Sequence, residues 1–249
     1  MNSFFLCLNT SKTKILVFIP PSLKDTIKIE GSFINNNCIR FVQSANNLGV
    51  ILDNELSFNS HVNKVVQSCF SIIRRLSKIK AYLTAKQLQV AISALIFSKL
   101  DYCNSLYFGS NTLLLKKLQS VQNAAARLLL GRNQRIRCIS DFIRNHHWLK
   151  IKERIVFKIS TIVHKCMYGS APHAIKNLLT NVHSRRHTML EQYKPNTNYG
   201  KRCFRRVAPK IWNTLPENLR CERNVERFKG LLKTYLFDNF QNIEHILSQ

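Results

Sequence analysis

Carboxylates that could bind divalent metal ions are few and scattered in this chain. Two-metal phosphoryl transfer needs acidic side chains clustered around the ions. The 249 residues contain no adjacent pair of aspartates, and the nearest approach is Asp53 with Glu55 in the segment LDNEL. Acidic residues in such a segment are typical of a turn. We expect a turn here, with a metal site as the disfavoured alternative, and therefore predict no catalytic residue, no bound metal and no cofactor.

Histidine and cysteine side chains offer a second possible metal site. His183 and His187 have an H-x3-H spacing, and Cys203 and Cys221 follow at a distance. The eight cysteines include no Cys-x-x-Cys pair, which a zinc site built from neighbouring cysteines needs. We interpret the histidines as surface residues of a basic loop and the cysteines as free thiols in a reducing compartment.

Basic side chains are the most abundant groups that could bind a ligand. The chain has 38 Lys+Arg against 13 Asp+Glu, a formal net charge of +25, which indicates a polyanionic partner. Residues 1–60 contain 5 basic and 4 acidic side chains, residues 61–130 contain 10 and 1, and residues 131–249 contain 23 and 8. The polyanion-binding surface is therefore expected after residue 60.

The segment from Ser60 to Lys80 combines an apolar and a basic helical face. Apolar residues recur at intervals of three and four, and no acidic residue occurs between residues 56 and 100. Phosphate contact needs charge at reachable spacing and no base-reading geometry. The alternative is a solvated helix face. The candidate phosphate-binding residues are Lys64, Arg74, Arg75, Lys78 and Lys80.

A second group of basic residues is interleaved with aromatic ones nearer the C-terminus. Rings that stack on bases and guanidinium groups that bind phosphates suit single-stranded RNA. The candidate residues are Arg185, Arg186, Arg202, Arg205 and Arg206. Phe204 and Trp212 lie close to prolines in the segment FRRVAPKIWNTLP, and we expect these two rings in the core.

Hydrophobic patterning predicts an α+β fold with three parts. Residues 1–59 are expected to form a small β-rich part, with a hairpin from 26–34 and 38–42 and a strand and turn after residue 46. Residues 60–131 are expected to form a helical bundle, and residues 132–249 a basic, mostly helical region.

Individual helices are predicted from their periodicity and end signals. Thr84 and Gln87 form a capping box at the start of the second helix, whose apolar face is expected at Leu88, Ala91, Leu95 and Tyr102. The region from Thr180 to Lys210 is expected to be irregular. The helices are predicted at 60–80, from Thr84, and at 111–130, 150–168 and 224–239.

Five segments resemble one protein family and occur in the family's order. They are NNLGVILDNELSFNSHV at 46–62, LDYCNSL at 100–106, LQSVQNAAARLL at 118–129, YGSAPHAI at 168–175 and GKRCFRRVAPKIWNTLPENLR at 200–220. The family comprises the jockey-like, LINE-type reverse transcriptases of non-LTR retrotransposons. The resemblance covers the end of the palm, the thumb and the downstream region, and it implies that the segment at 60–131 corresponds to the thumb.

The resemblance also implies roles for two residues of the β-rich part. Lys12, in LNTSKT, is similar to a lysine that assists the departing pyrophosphate, with a solvated turn lysine as the alternative. Gly49, in Leu48-Gly49-Val50, resembles part of the primer grip, a hairpin that lies against the primer backbone; a glycine permitting a strand bulge is the alternative.

We therefore expect a truncated RNA-directed DNA polymerase that binds RNA or an RNA–DNA hybrid through phosphates. The family's aspartates, which hold Mg²⁺, lie upstream of the matching segments, so the chain alone is expected to be inactive. The alternative is a non-functional or protein-interaction remnant with inherited charge, and an upstream palm fragment acting in trans is a possible partner. No apolar run spans a bilayer and no secretory signal is evident, so we expect no membrane partner and a cytoplasmic or nuclear location.

Overall fold

The described residues form an α+β protein, with small strands before residue 54 and helices after residue 58, as predicted. The structure is a computed structural model that describes residues 9, 12–19, 31–34, 37–130, 139–169, 171–180 and 189–248. They divide into two compact units, Met1–Val65 and Val66–Gln249. The domain boundary predicted at residue 131 lies inside the second unit.

Short strands build two small sheets in the first unit. In chain order the strands are β1 (Ile15–Leu16), β2 (Gly31–Ile34), β3 (Asn37–Val42), β4 (Ser44–Asn47) and β5 (Val50–Asp53). β3 is the middle strand of the first sheet, parallel to β1 and antiparallel to β2. The antiparallel register, from Gly31 opposite Arg40 to Ile34 opposite Asn37, confirms the hairpin predicted from the sequence.

The second sheet is a tight hairpin of β4 and β5, closed by Leu48 and Gly49. Asn47 is opposite Val50, so the turn has two residues. The φ angles of Leu48 and Gly49 are 47° and 85°, and a type I′ turn needs positive φ at both central positions. Gly49 is therefore explained by the turn, and the alternative of a glycine at a strand bulge is wrong.

Helices make up most of the second unit, and the first helix begins in the first unit. In chain order they are α1 (Asn59–Ile79), α2 (Ala85–Ile92), α3 (Ser98–Asp101), α4 (Thr112–Leu130), α5 (Ile139–Asn145), α6 (Ile151–Met167), α7 (His173–Lys176), α8 (Asn198–Arg202), α9 (Phe204–Thr214), α10 (Glu217–Cys221) and α11 (Val225–Ser248). The sequence predicts α1, α2, α4, α6 and α11, and all five are confirmed. α11 continues beyond the predicted end at residue 239.

α2 begins at the predicted capping box but buries a different face. Thr84 Oγ1 accepts from the Gln87 backbone N–H at 3.2 Å, and Gln87 Oε1 accepts from the Thr84 N–H at 2.9 Å. A π-helical turn, Ser93–Phe97, then widens the helix. A π-helical turn contains more than four residues. Residues four positions apart therefore lie on the same side of this stretch. The buried residues are accordingly Leu88, Ile92, Ile96 and Leu100.

Two residues assigned to that apolar face from the sequence are exposed. The side chain of Leu95 is 46% exposed and that of Tyr102 is 49% exposed. A regular 3.6-residue helix would bring Leu95 round to the face of Leu88, seven residues earlier. The π-helical turn between them shifts that register, so the assignment of Leu95 and Tyr102 was wrong.

α6 is the central helix of the second unit. It packs against α3, α4, α9 and α11 and against the 3₁₀ turn Asn104–Tyr107. Its inward side chains include Ile155, Ile159 and Val163, each at most 3% exposed. Since α3 and α4 precede residue 131 while α6, α9 and α11 follow it, one hydrophobic core joins the two regions that the sequence analysis separates.

Two helices lie where the sequence analysis expects irregular structure. α8 and α9 fall between residues 198 and 214, so the prediction for Thr180 to Lys210 is wrong over about half of its described part. Buried residues of α9 recur at helical spacing, at Val207, Ala208, Ile211 and Trp212. Pro209 lies inside the helix, where it lacks the N–H of a regular hydrogen bond. The proline and the surrounding basic residues obscured this pattern.

Candidate nucleic-acid interface

The Asp53 carboxylate organises the turn that leads into α1. Its Oδ1 accepts from the Ser57 backbone N–H at 2.8 Å and from that of Glu55 at 3.1 Å, and its Oδ2 accepts from the Phe58 N–H at 2.9 Å. Ser57 Oγ also donates to Oδ2, at 3.1 Å. Both carboxylate oxygens are thus used by the turn, which confirms the turn-forming role. Over the residues that the structure describes, no group of three metal-ligating side chains occurs.

Lys12 and Gly49, the two candidates of the first unit, are both exposed. Lys12 lies in a turn in which its backbone N–H donates to the carbonyl oxygen of Asn9 at 3.2 Å. Gly49 lies at the tip of the β4–β5 hairpin, next to Leu48, whose side chain is 86% exposed. The tip of this hairpin is therefore exposed to solvent.

α1 has the two faces that the sequence predicts. Cys69, Ile72 and Leu76 are buried on one side, whereas Arg74, Arg75 and Lys78 are exposed on the other. The three exposed residues are spaced one, three and four positions apart, which places them close together on an α-helix. We refer to Arg74, Arg75 and Lys78 as the α1 basic face.

The α1 basic face has no acidic partner in the part of the chain that the structure describes. The ion pairs found there join Arg144 with Asp238, Arg154 with Asp101, Arg227 with Glu222 and Lys229 with Glu226. Because none of them involves α1, the positive charge of this face is not neutralised internally. Such a surface attracts polyanions.

Lys64, on the first-unit part of α1, is also exposed and affects a neighbouring histidine. Burial lowers the pKa of His61, and the charge of Lys64 lowers it further. His61 is 4% exposed, and its Nδ1 accepts from the Ile51 backbone N–H at 3.4 Å. Neutral His61 therefore links α1 with β5, while the ammonium group of Lys64 remains in solvent.

Lys80 differs from the other basic residues of this region. Its Nζ donates a hydrogen bond to the carbonyl oxygen of Leu128, near the C-terminal end of α4. Carbonyl groups at a helix C-terminus attract cations. The Lys80 ammonium group therefore binds the end of α4, and we do not include Lys80 in the proposed nucleic-acid interface.

A second basic surface combines arginines of α8 and α9 with two tyrosines. The Arg205 guanidinium lies 4.6 Å from the ring centroid of Tyr193, and Arg206 Nη1 donates to the Tyr193 carbonyl oxygen at 3.2 Å. The Arg202 guanidinium lies 5.7 Å from the Tyr199 ring. We call these five residues the arginine–tyrosine cluster.

The arginine–tyrosine cluster is partly committed to internal contacts. A ring face covered by a guanidinium group cannot stack on a base at the same time. Arg202 also packs along Gly109, since a Cβ at position 109 would lie 2.8 Å from Arg202 Cγ. Arg205 is the most accessible arginine of the cluster. Arg185, Arg186, His183 and His187 lie outside the described residues.

Trp212 lies in the core, as predicted, together with a buried histidine that sequence reasoning missed. Trp212 is fully buried, while Phe204 is only partly so. His164 on α6 is 1% exposed, stacks on Phe228 at 4.3 Å and contacts the backbone carbonyl of Glu222 through Nε2 at 2.8 Å. Burial lowers the pKa of His164. The sequence does indicate this position, because His164 follows the apolar residue Val156 by eight positions and so falls on the same face of the helix.

The cysteines of the described residues are free thiols in varied surroundings. Cys69 and Cys166 are buried, whereas Cys38 and Cys221 are exposed. Burial raises the pKa of the Cys69 thiol to about 11, against an opposing effect of the Lys99 charge. Cys69 is therefore a protonated core residue of α1 and not a nucleophile.

No protein-family model, no curated protein and no solved structure matches this chain. None of the described helices is long and apolar enough to cross a membrane. The candidate interface accordingly depends on the geometry and charge of the two basic surfaces described above.

Proposed function

We propose that this chain binds the sugar–phosphate backbone of RNA or an RNA–DNA hybrid through the α1 basic face. The observation on which this depends is the exposure of Arg74, Arg75 and Lys78 on one helix face without a neighbouring carboxylate among the described residues. Guanidinium and ammonium groups bind phosphate oxygens regardless of base sequence. Binding by this face is therefore independent of sequence.

The chain further corresponds, in this proposal, to the thumb and downstream region of a LINE-type non-LTR reverse transcriptase. The five ordered sequence segments support this assignment, and so does an exposed basic helix at the position of the thumb. Asp53 lies in the first of these segments, and both of its carboxylate oxygens are occupied by hydrogen bonds. The described part of the chain would then hold nucleic acid while the polymerase chemistry takes place on other residues.

Packing supports a positioning role for the α1 basic face. Cys69, Ile72 and Leu76 are buried on the opposite side of α1, so the arginines project from a part of the helix that is packed against the second unit. When basic side chains on a rigid helix bind a ligand, only the side chains lose conformational freedom, because the backbone is already ordered. The α1 basic face is therefore suited to hold a duplex backbone in a fixed position.

A paired set of variants tests the proposal directly. Binding to a fluorescently labelled RNA–DNA hybrid would be measured by anisotropy for the full chain and for Arg74→Gln/Arg75→Gln/Lys78→Gln. Each lost contact should weaken binding severalfold at about 100 mM salt, so we expect a loss on the order of tenfold to a hundredfold.

The control variant removes the same charge from exposed residues outside α1. It is Lys165→Gln/Lys176→Gln/Arg223→Gln. We expect this control to bind within about threefold of the unchanged protein, because only long-range charge is lost. Equal losses in both variants would contradict a localised interface, and no binding by the unchanged chain would favour a protein-interaction role instead.

A further inference from the structure

The second unit contains a cavity of about 500 Å³ that the α1 basic face does not touch. Its wall is formed by the π-helical turn Ser93–Phe97, by the loop at 146–149 and by side chains of α3, α6 and α11. Phe97, Trp148 and Phe157 supply aromatic surface to this wall. Cavities of this size and mixed character are typical of small-ligand sites.

Positive charge is concentrated around this cavity. Arg154, Lys158 and Lys233 line it, whereas Asp101 is the only carboxylate among the described lining residues. The three basic side chains of the lining outnumber its carboxylates by two. Burial lowers the pKa of Lys233, and the nearby charge of Arg154 lowers it further. Of these three cations only Arg154 has an acidic partner among the described residues, and that partner is Asp101.

Arg154 is held in place with part of its hydrogen-bonding capacity unused. Its Nη1 donates to Asp101 Oδ2 at 2.5 Å, its Nε donates to the Leu149 carbonyl oxygen at 3.0 Å, and its guanidinium lies 4.5 Å from the Phe97 ring centroid. A guanidinium group has five N–H donors. The donors on Nη2 have no partner among the described residues, and they are available to an anion.

Asn104 adds a buried acceptor to the same cavity. Its side chain is 3% exposed and lines the cavity wall, and its Nδ2 donates to Asp101 Oδ1 at 3.4 Å. Its Oδ1 has no hydrogen-bond partner among the described residues. Buried polar atoms normally have a partner. A ligand that presents a hydroxyl or amino group would supply the missing donor.

We propose that this cavity binds a small phosphate ester, a phosphate monoester dianion joined to a hydroxyl-bearing and ring-bearing part, as in a nucleoside monophosphate. Arg154, Lys158 and Lys233 contact the phosphate, Asn104 accepts from a hydroxyl or amino group, and the ring packs against the aromatic wall. The dianion matches the excess charge of the lining. This site is separate from the proposed nucleic-acid interface and does not depend on it.

Calorimetric titration of the full chain with adenosine 5′-monophosphate tests this site. In about 200 mM salt we expect saturable binding of one molecule per chain. Lys158→Gln/Lys233→Gln removes two exposed cations of the cavity and should weaken binding at least tenfold, since each charge-assisted contact contributes strongly. Inorganic phosphate should bind at least tenfold more weakly, because it lacks the hydroxyl and ring contacts.

The matched control changes one lysine of α6 and one of α11 outside the cavity. Lys165→Gln/Lys229→Gln has the same net charge as the cavity variant, and we expect it to bind within twofold of the unchanged chain. Circular dichroism verifies that both variants are folded. Equal weakening in both, absence of saturable binding, or phosphate binding as tightly as the nucleotide would each overturn the proposal.

Discussion

Arg154 on α6 donates to the carboxylate of Asp101 on α3 across 2.5 Å, and the two residues are 53 positions apart in the chain. The side chain of Arg154 is only 15% exposed, whereas that of Asp101 is 41% exposed. The pair therefore joins the region before residue 131 to the region after it. Because Arg154 is mostly removed from water, removing one partner of this pair costs more than breaking an ordinary surface ion pair.

Removing Arg154 should destabilise the second unit more than removing its partner's charge. Arg154→Met loses the ion pair, the Leu149 hydrogen bond and the contact with Phe97. We expect it to lower the free energy of unfolding by about 2–3 kcal/mol, and Asp101→Asn by about 1 kcal/mol. Urea unfolding followed by circular dichroism measures both values.

The surface ion pair of Arg227 with Glu222 provides the comparison for this prediction. The two groups are 3.2 Å apart, but the Arg227 side chain is 75% exposed. Arg227→Met should therefore change the free energy of unfolding by less than about 0.5 kcal/mol. If Arg154→Met and Arg227→Met had the same effect, the link between α3 and α6 would be unimportant for stability.

Acidification should destabilise the second unit through His164. Burial lowers the pKa of His164 below its ordinary value of 6.5, although the Glu222 backbone and charge oppose this shift. Below pH 6.5 the unfolded chain therefore binds more protons than the folded one. The stability contribution is complete above pH 6.5 and is lost as the pH falls towards the folded-state pKa.

Replacing His164 by Gln should flatten this pH dependence. Glutamine can still donate to the Glu222 carbonyl, but it does not titrate. The unfolding free energy of the unchanged chain, measured from pH 7.5 to 5, should fall more steeply than that of His164→Gln. His61 has a lowered pKa as well, so His61→Gln measured in parallel separates its contribution. Parallel curves for His164→Gln and the unchanged chain would refute the assignment.

Two substitutions in the β4–β5 turn should change stability in opposite directions. Leu48 has a φ of 47°, which asparagine adopts more readily than leucine, and its side chain is 86% exposed. Leu48→Asn should therefore stabilise the hairpin by about 0.5 kcal/mol, whereas Gly49→Ala, at a φ of 85°, should destabilise it by about 1 kcal/mol. Amide hydrogen exchange at Leu52, which lies opposite Ala45 in the hairpin, reports both, and the same sign for the two changes would contradict a type I′ turn.

Local patterns predicted much of the fold, because they act over a few residues. The Thr84–Gln87 capping box and the apolar period of α1 appear in the structure as the sequence indicates. Longer-range relationships could not be predicted this way. The π-helical turn Ser93–Phe97 shifts the buried face away from Leu95, and a pattern that assumes 3.6 residues per turn does not contain this shift.

The candidate site shows the same division between local and distant effects. Exposure of Arg74, Arg75 and Lys78 follows from helical periodicity, which the sequence displays directly. Lys80 has the same charge, yet it is bound to the Leu128 carbonyl 48 residues away, a contact that no local pattern contains. The cavity at Arg154 brings together three separate stretches of chain, at 89–104, 146–158 and residue 233, and for that reason sequence analysis did not identify it.

Arg205 should matter more for single-stranded than for duplex ligands. Its guanidinium covers the Tyr193 ring at 4.6 Å, and a base could exchange with it on that ring while the arginine moves to the adjoining phosphate. We expect Arg205→Gln to weaken binding of a single-stranded RNA by roughly tenfold and binding of a hybrid by less than threefold. Anisotropy titrations with both ligands measure this difference. Equal effects would show that Arg205 acts as a general cation.

The salt dependence of hybrid binding tests the α1 basic face most directly. Each phosphate contact contributes about 0.9 to the slope of log K against log salt concentration for a duplex. Arg74→Gln/Arg75→Gln/Lys78→Gln should therefore reduce the slope by up to about 2.7, while Lys165→Gln/Lys176→Gln/Arg223→Gln should leave it within about 0.5 of the original. An unchanged slope in the first variant, or an equal reduction in both, would contradict the account.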